Sequence, residues 1–89
     1  MPSFLLELYL PRSRGVEEVA ALAQRAAAAA TQGGSPVRYV RSMHLPEDET
    51  CFLVFEAPSR EVLLDAAHRT GLTEARAIQA VEAESLEPS

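Results

Sequence analysis

Lysine and tryptophan are absent from this chain, cysteine occurs once, and no apolar run is long. Each shortage excludes something. The single thiol, Cys51, has no partner for an intrachain disulfide, and it cannot build a thiolate zinc or iron–sulfur centre, which draws on several spaced cysteines. The apolar stretches fall short of the ~20 residues of a bilayer crossing, and Met1-Pro2-Ser3 opens without a basic and apolar secretion signal. Together with the lone cysteine, this makes a reducing cytoplasm the expected location. Eight arginines stand against thirteen acids, a formal charge of −5. That is the wrong sign for the backbone of nucleic acid or for an anionic membrane. A small anion held by one or two arginines stays open. Histidine occurs only at His44 and His68, so no His-x-x-x-His pair grips a metal from one helix face.

What is present is periodicity, spread over 89 residues that suffice for one domain. Phe4 to Leu10 alternates, with Phe4, Leu6, Leu8 and Leu10 on one side and Leu5, Glu7 and Tyr9 on the other. This is a strand closed by Pro11. Val19, Leu22, Ala23, Ala26, Ala27 and Ala30 recur at intervals of three and four, predicting a helix over Val16–Gln32 with a narrow, smooth stripe. Gly33-Gly34-Ser35-Pro36 ends it. A second strand over Val37–His44 places Val37, Tyr39, Arg41 and Met43 on one face, and Arg38, Val40, Ser42 and His44 on the other. Pro46-Glu47-Asp48-Glu49 reads as a solvated, charged turn. Thr50–Ala57 is apolar on both faces, the mark of a central strand. Ser59 is placed to cap a helix over Arg60–Thr70, which Gly71 closes in a left-handed conformation with Leu72 folding back on Ala67. A weakly patterned strand over Arg76–Glu82 completes the domain, residues 1–84, and 85–89 form a polar tail.

Strand, helix, strand, strand, helix, strand is the split βαββαβ order of an α+β, ferredoxin-like domain. Right-handed crossovers put both helices on one face of its antiparallel sheet. The other face is then bare, yet neither phase of the first and third strands is polar. A patch of that size calls for a partner, and a second copy paired sheet to sheet gives a homodimer of the dimeric α/β-barrel kind. Glu7 and Glu56 mark Leu5, Glu7, Tyr9 with Phe52, Val54, Glu56 as the partner side.

Val37-Arg38-Tyr39-Val40-Arg41-Ser42, Phe52 to Ser59, Ala67-His68-Arg69-Thr70-Gly71-Leu72 and the opening Phe4-Leu5-Leu6-Glu7 together resemble a family of small bacterial proteins. That family is known mostly as a domain of unknown function. The resemblance implies a ferredoxin-like fold and a dimer, and one branch of the family is described as nickel-binding. Where that branch has a polar, histidine-bearing first strand, this chain has Glu7-Leu8-Tyr9-Leu10, and His68 alone resembles the branch's second-helix histidine.

Chemistry-bearing residues are few. Glu7, Glu56 and His44 are placed to converge on the open face, where a carboxylate and an imidazole could exchange protons or ligate a divalent ion. With Tyr9, Arg38 and Ser42 they make up the candidate pocket. The plainer alternative pairs Glu7 with Arg38 or Arg41, across the sheet or across the interface, and gives it no chemistry. His68 suits a helix C-terminus, and Cys51 a small buried hydrophobe. Gly33-Gly34-Ser35 follows a helix and is no phosphate loop. The expected function is a dimeric binding protein with a small molecule between its sheets. The alternatives are a cofactor-independent oxygenase or isomerase using the same cavity, and a nickel or other divalent-metal protein with Glu7, His44, Glu56 and His68 as candidate ligands. No cofactor is expected.

Overall fold

In a computed structural model, which describes residues 1–72 and 75–81, the chain forms β1 (Ser3–Tyr9), α1 (Val16–Gln32), β2 (Arg38–Leu45), β3 (Thr50–Glu56), α2 (Arg60–Arg69) and β4 (Arg76–Ala80). The four strands make one antiparallel sheet in the order β2-β3-β1-β4. This α+β architecture is compatible with a ferredoxin-like fold. A single 3₁₀ turn at Pro46–Asp48 joins β2 to β3. The expected tail and the far end of the last strand lie outside the described residues.

Both helices cover the same face, because their stripes and one phase of the sheet share a single core. Phe4, Leu6 and Leu10 pack with Cys51, Leu53 and Phe55 beneath Val19, Ala23 and Ala27 of α1 and Leu63 and Ala67 of α2. Alanine at three of these helix positions lets the backbones come close to the sheet. The helix ends are set locally. Ser59 Oγ accepts from the Val62 N–H at 3.2 Å, satisfying one of the donors a helix start leaves free. Gly71 has φ 95°, the Leu72 N–H donates to the Ala67 carbonyl at 2.9 Å, and Leu72 is buried. The end of α1 repeats the device: Gly34 has φ 96°, and the Ser35 N–H reaches the Ala30 carbonyl at 2.9 Å. Both are Schellman closures. Thr31 Oγ1 then bonds both backbone groups of Val37, at 3.1 and 3.2 Å, and delivers the chain to β2.

Simple alternation fails in β2. Tyr39 is opposite Phe55 but Arg41 is opposite Val54, leaving Val40 as an extra residue. Each residue beyond such a bulge changes face relative to strict alternation. Arg38 therefore faces away from the helices with Glu56, while Tyr39, Ser42 and His44 lie on the helix side, opposite Phe55, Leu53 and Cys51. Arg41, Met43 and Leu45 join Arg38 on the open face. The expected grouping of Ser42 and His44 with Arg38 is thus incorrect.

Candidate functional site

The open face is built from the second phase of every strand. Leu5 lies between Val54 and Ile78, and Glu7 between Phe52 and Arg76. Met43 lies beyond Phe52, and Tyr9, Thr50 and Leu45 form the row at the hairpin end. The middle of this surface is apolar and its corners are charged. Tyr9 is 66% exposed, Met43 44% and Leu45 40%, so apolar area faces outward at these positions without a cover among the described residues. The two carboxylate strands expected on this side, Leu5-Glu7-Tyr9 and Phe52-Val54-Glu56, do lie here.

The carboxylates are engaged by arginine, each by a different one. Arg76 Nε is 3.7 Å from Glu7 Oε1, and Arg38 Nη1 is 3.1 Å from Glu56 Oε1. Within the sheet Glu7 does not pair with Arg38 or Arg41, because β3 separates β1 from β2, whereas β4 brings Arg76 directly opposite. A third carboxylate is present that the turn reading left in solvent. Glu49 is left-handed, with φ 48°, and its Oε2 accepts from the Tyr9 hydroxyl at 3.4 Å and from the Arg12 N–H at 3.2 Å. Arg12 Nε in turn donates to the Pro46 carbonyl at 3.1 Å. This clasp ties the hairpin to the segment after β1. Glu7, Tyr9, Glu49, Thr50 and Arg76 line a recess of about 330 Å³ at that end of the face. The sequence signal for Glu49 was its place immediately before β3, which brings it beside the end of β1.

Of the six expected pocket residues, Glu7 and Tyr9 share the recess, and Arg38 and Glu56 form an ion pair at the opposite end of the face. Ser42 and His44 do not belong to this surface. Ser42 is hydrogen-bonded to the Tyr39 hydroxyl, and the Tyr39 ring leans on Phe55 with centroids 5.6 Å apart. His44 lies in the ladder opposite Cys51, and its Nε2 is buried without a hydrogen-bond partner among the described residues. His68 is exposed near the end of α2. Glu7, Glu56, His44 and His68 thus occupy two sheet faces and a helix, and they do not fit a common metal ion. Among the described residues no three His, Cys, Asp or Glu side chains gather as a ligand set. Burial pushes the Cys51 thiol up from its usual pKa, which keeps it protonated and unreactive.

Chemically, the face combines an apolar floor with ion-paired corners. No imidazole accompanies its carboxylates, so the convergent acid–base trio is absent. Exposed ion pairs of this sort contribute only ~0–1 kcal/mol each. No helix among the described residues is long and apolar enough to cross a membrane. Comparison with protein-family models, with curated proteins and with solved structures finds no match for the chain.

Proposed function

We propose that this chain works as a homodimeric binding protein, closed through the helix-free face of its sheet, with a small molecule held in the joint. The observation that carries the reading is the apolar surface of exposed Met43 and Leu45 and half-buried Leu5, Phe52 and Ile78, set around the buried Val54, on a face that no helix among the described residues covers. Monomers seldom leave a large grouped apolar surface in water. Strands of seven, eight, seven and five residues with a rise of ~3.3 Å, side by side at ~4.8 Å, give a footprint of about 430 Å² in projection per copy. Specific contacts bury upwards of about 1,000 Å² in total, so two copies need nearly the whole face. The barrel-like pairing of two sheets uses it all. The recess beside Glu7, Tyr9, Glu49 and Arg76 suits an amphipathic molecule, with its apolar part against the sheet and a polar group toward the charged rim.

Sedimentation velocity at micromolar concentration tests the dimer, and native mass spectrometry of protein purified without denaturant tests the ligand. The expected result is a dimer that carries a small-molecule adduct, lost when Tyr9 and Glu7 are replaced by alanine. A compact monomer overturns the assembly. A dimer that never carries or takes up such a molecule from an amphipathic-metabolite library overturns the binding role.

A further inference from the structure

We infer that the two copies meet head to tail, with the strands of one sheet running against their counterparts, so that the arginine end of each face lies over the carboxylate end of its partner. This rests on the homodimer proposed above and specifies its geometry. The open face is electrically polar along its strands. At the hairpin end the carboxylates of Glu7 and Glu49 stand with the guanidinium groups of Arg76 and of Arg12, the latter donating to the Pro46 carbonyl. At the other end stand Arg38 and Arg41 with the single carboxylate of Glu56. The exposed hairpin acids Glu47 and Asp48 extend the negative end further. Arg41 completes the asymmetry, because it makes no ion pair among the described residues, although it projects on the open-face register opposite Val54.

A two-fold axis relating two faces in contact lies in the plane between them. One such axis runs along the strands. It stacks the hairpin ends on each other, crowds Glu7 and Glu49 against their own copies, and sets Arg41 over the apolar β4 edge of Ile78 and Ala80. The other axis runs across the strands. It exchanges the ends, so that Arg38 and Arg41 approach the partner's Glu49 and hairpin acids, and by symmetry the favourable contact occurs twice. Like charges brought together at an interface are penalised and opposite charges fix its register. The second axis is therefore the one this charge distribution selects, and the partner's carboxylates supply the counter-charge that Arg41 lacks among the described residues of its own chain.

The test is a pair of charge reversals, Arg41→Glu and Glu49→Arg, each purified alone and then mixed. Head-to-tail pairing brings position 41 of one copy near position 49 of the other. Each variant alone then repels itself at both contacts, while a mixed pair attracts at both. Each variant alone should dimerise at least ~10-fold more weakly than the unaltered chain, and an equimolar mixture should form heterodimers within about threefold of its affinity, both effects fading in high salt. Because Glu49 also holds Tyr9 and Arg12, a parallel mixture uses Glu47→Arg with Asp48→Arg, at the exposed hairpin tip, and circular dichroism checks that each variant is folded. If the unaltered chain dimerises but the mixtures show no preference for heterodimers, the head-to-tail arrangement is wrong while the dimer stands. If the unaltered chain is monomeric at all concentrations, the dimer itself is wrong.

Discussion

Leu5 and Leu6 are neighbours in β1, and a glutamate at one should do something different in kind from a glutamate at the other. Leu6 is fully buried, opposite Leu53 and beneath the helices. Leu6→Glu gives up the ~1.5–3 kcal/mol of a buried leucine and adds several kcal/mol for an ion with no partner. An 89-residue domain at about 0.05–0.15 kcal/mol per residue holds roughly 4–13 kcal/mol in all. The sum of the two losses consumes most of that range, so Leu6→Glu should be unfolded at 25 °C. Leu5 is half-buried on the open face between Val54 and Ile78. Its glutamate can turn to water in the isolated chain, and the monomer loses only about 1 kcal/mol, part of a leucine's burial. In the proposed dimer the substitution appears twice in the joint, where two desolvated carboxylates should break the association. Far-UV circular dichroism and sedimentation velocity, run side by side, separate the outcomes: a folded monomer for Leu5→Glu and an unfolded chain for Leu6→Glu. The reverse pattern would mean that the helices lie on the other face of the sheet. A Leu5→Glu protein that still sediments as a dimer would remove the open face from the interface.

Cys51 ionises less readily folded than unfolded, so the stability tied to its neutral form is complete below the unfolded value, near 9.0, and is lost as pH rises through the folded value. Urea midpoints of the native chain should therefore fall above pH 9 more steeply than those of Cys51→Ala, and equal slopes would contradict the assignment. Adjacent glycines at the end of α1 should respond with opposite signs. Gly33 has φ −80° and its added Cβ meets only ordinary contacts at 3.5 Å, so Gly33→Ala should gain ~0.4–1 kcal/mol from a stiffer unfolded chain. Gly34, at φ 96° with open space around it, should lose about 1 kcal/mol as alanine from backbone strain alone. Thermal melts of the two variants decide the comparison.

The legible parts of this fold were those governed by local chemistry. Helix α1 begins and ends where Val16 and Gln32 were expected, and Ser59, Gly71 and Leu72 act as the capping residues their positions implied. Strands β1 and β3 also kept their expected phases, because each carries enough large apolar residues to define two faces. The candidate site was only half legible. Glu7 and Tyr9 came together, but the partners of Glu7 and Glu56 depend on which strands are neighbours and in what register, and that is a tertiary property. Arg76 meets Glu7 only because β4 docks beside β1, and no pattern in residues 76–80 announces the register. Glu49 was missed because an acidic turn gives no sign of folding inward until the left-handed backbone at that residue is known. Ser42 and His44 were misplaced for a different reason: β2 mixes polar and apolar residues on both sides, so its composition could not reveal that one residue stands outside the ladder.

That extra residue gives a sharp test of why β2 reads as it does. Removing Val40 leaves Arg38 open, Tyr39 toward the helices, Arg41 open and Ser42 toward the helices, a regular alternation in which every remaining side chain keeps its face. The hydrophobic period is restored and only the local twist of the bulge is lost. Deleting Val54 from the adjacent β3 has the opposite consequence. With no bulge to absorb the change, either Phe55 leaves the core and Glu56 turns toward the helices, or Cys51 and Leu53 leave it instead. Exposing Phe55 alone forfeits ~1.5–3 kcal/mol, and placing Glu56 inside adds the cost of a buried, unpaired charge. The chain without Val40 should therefore melt cooperatively with a native-like circular dichroism spectrum, whereas the chain without Val54 should not fold. Hydrogen exchange resolves the first case residue by residue: the amides of Ser42 to Leu45 should keep their protection if the faces are preserved. Loss of protection there, with β1 and β3 still intact, would show that the register beyond Tyr39 depends on the bulge and not on the period of the strand.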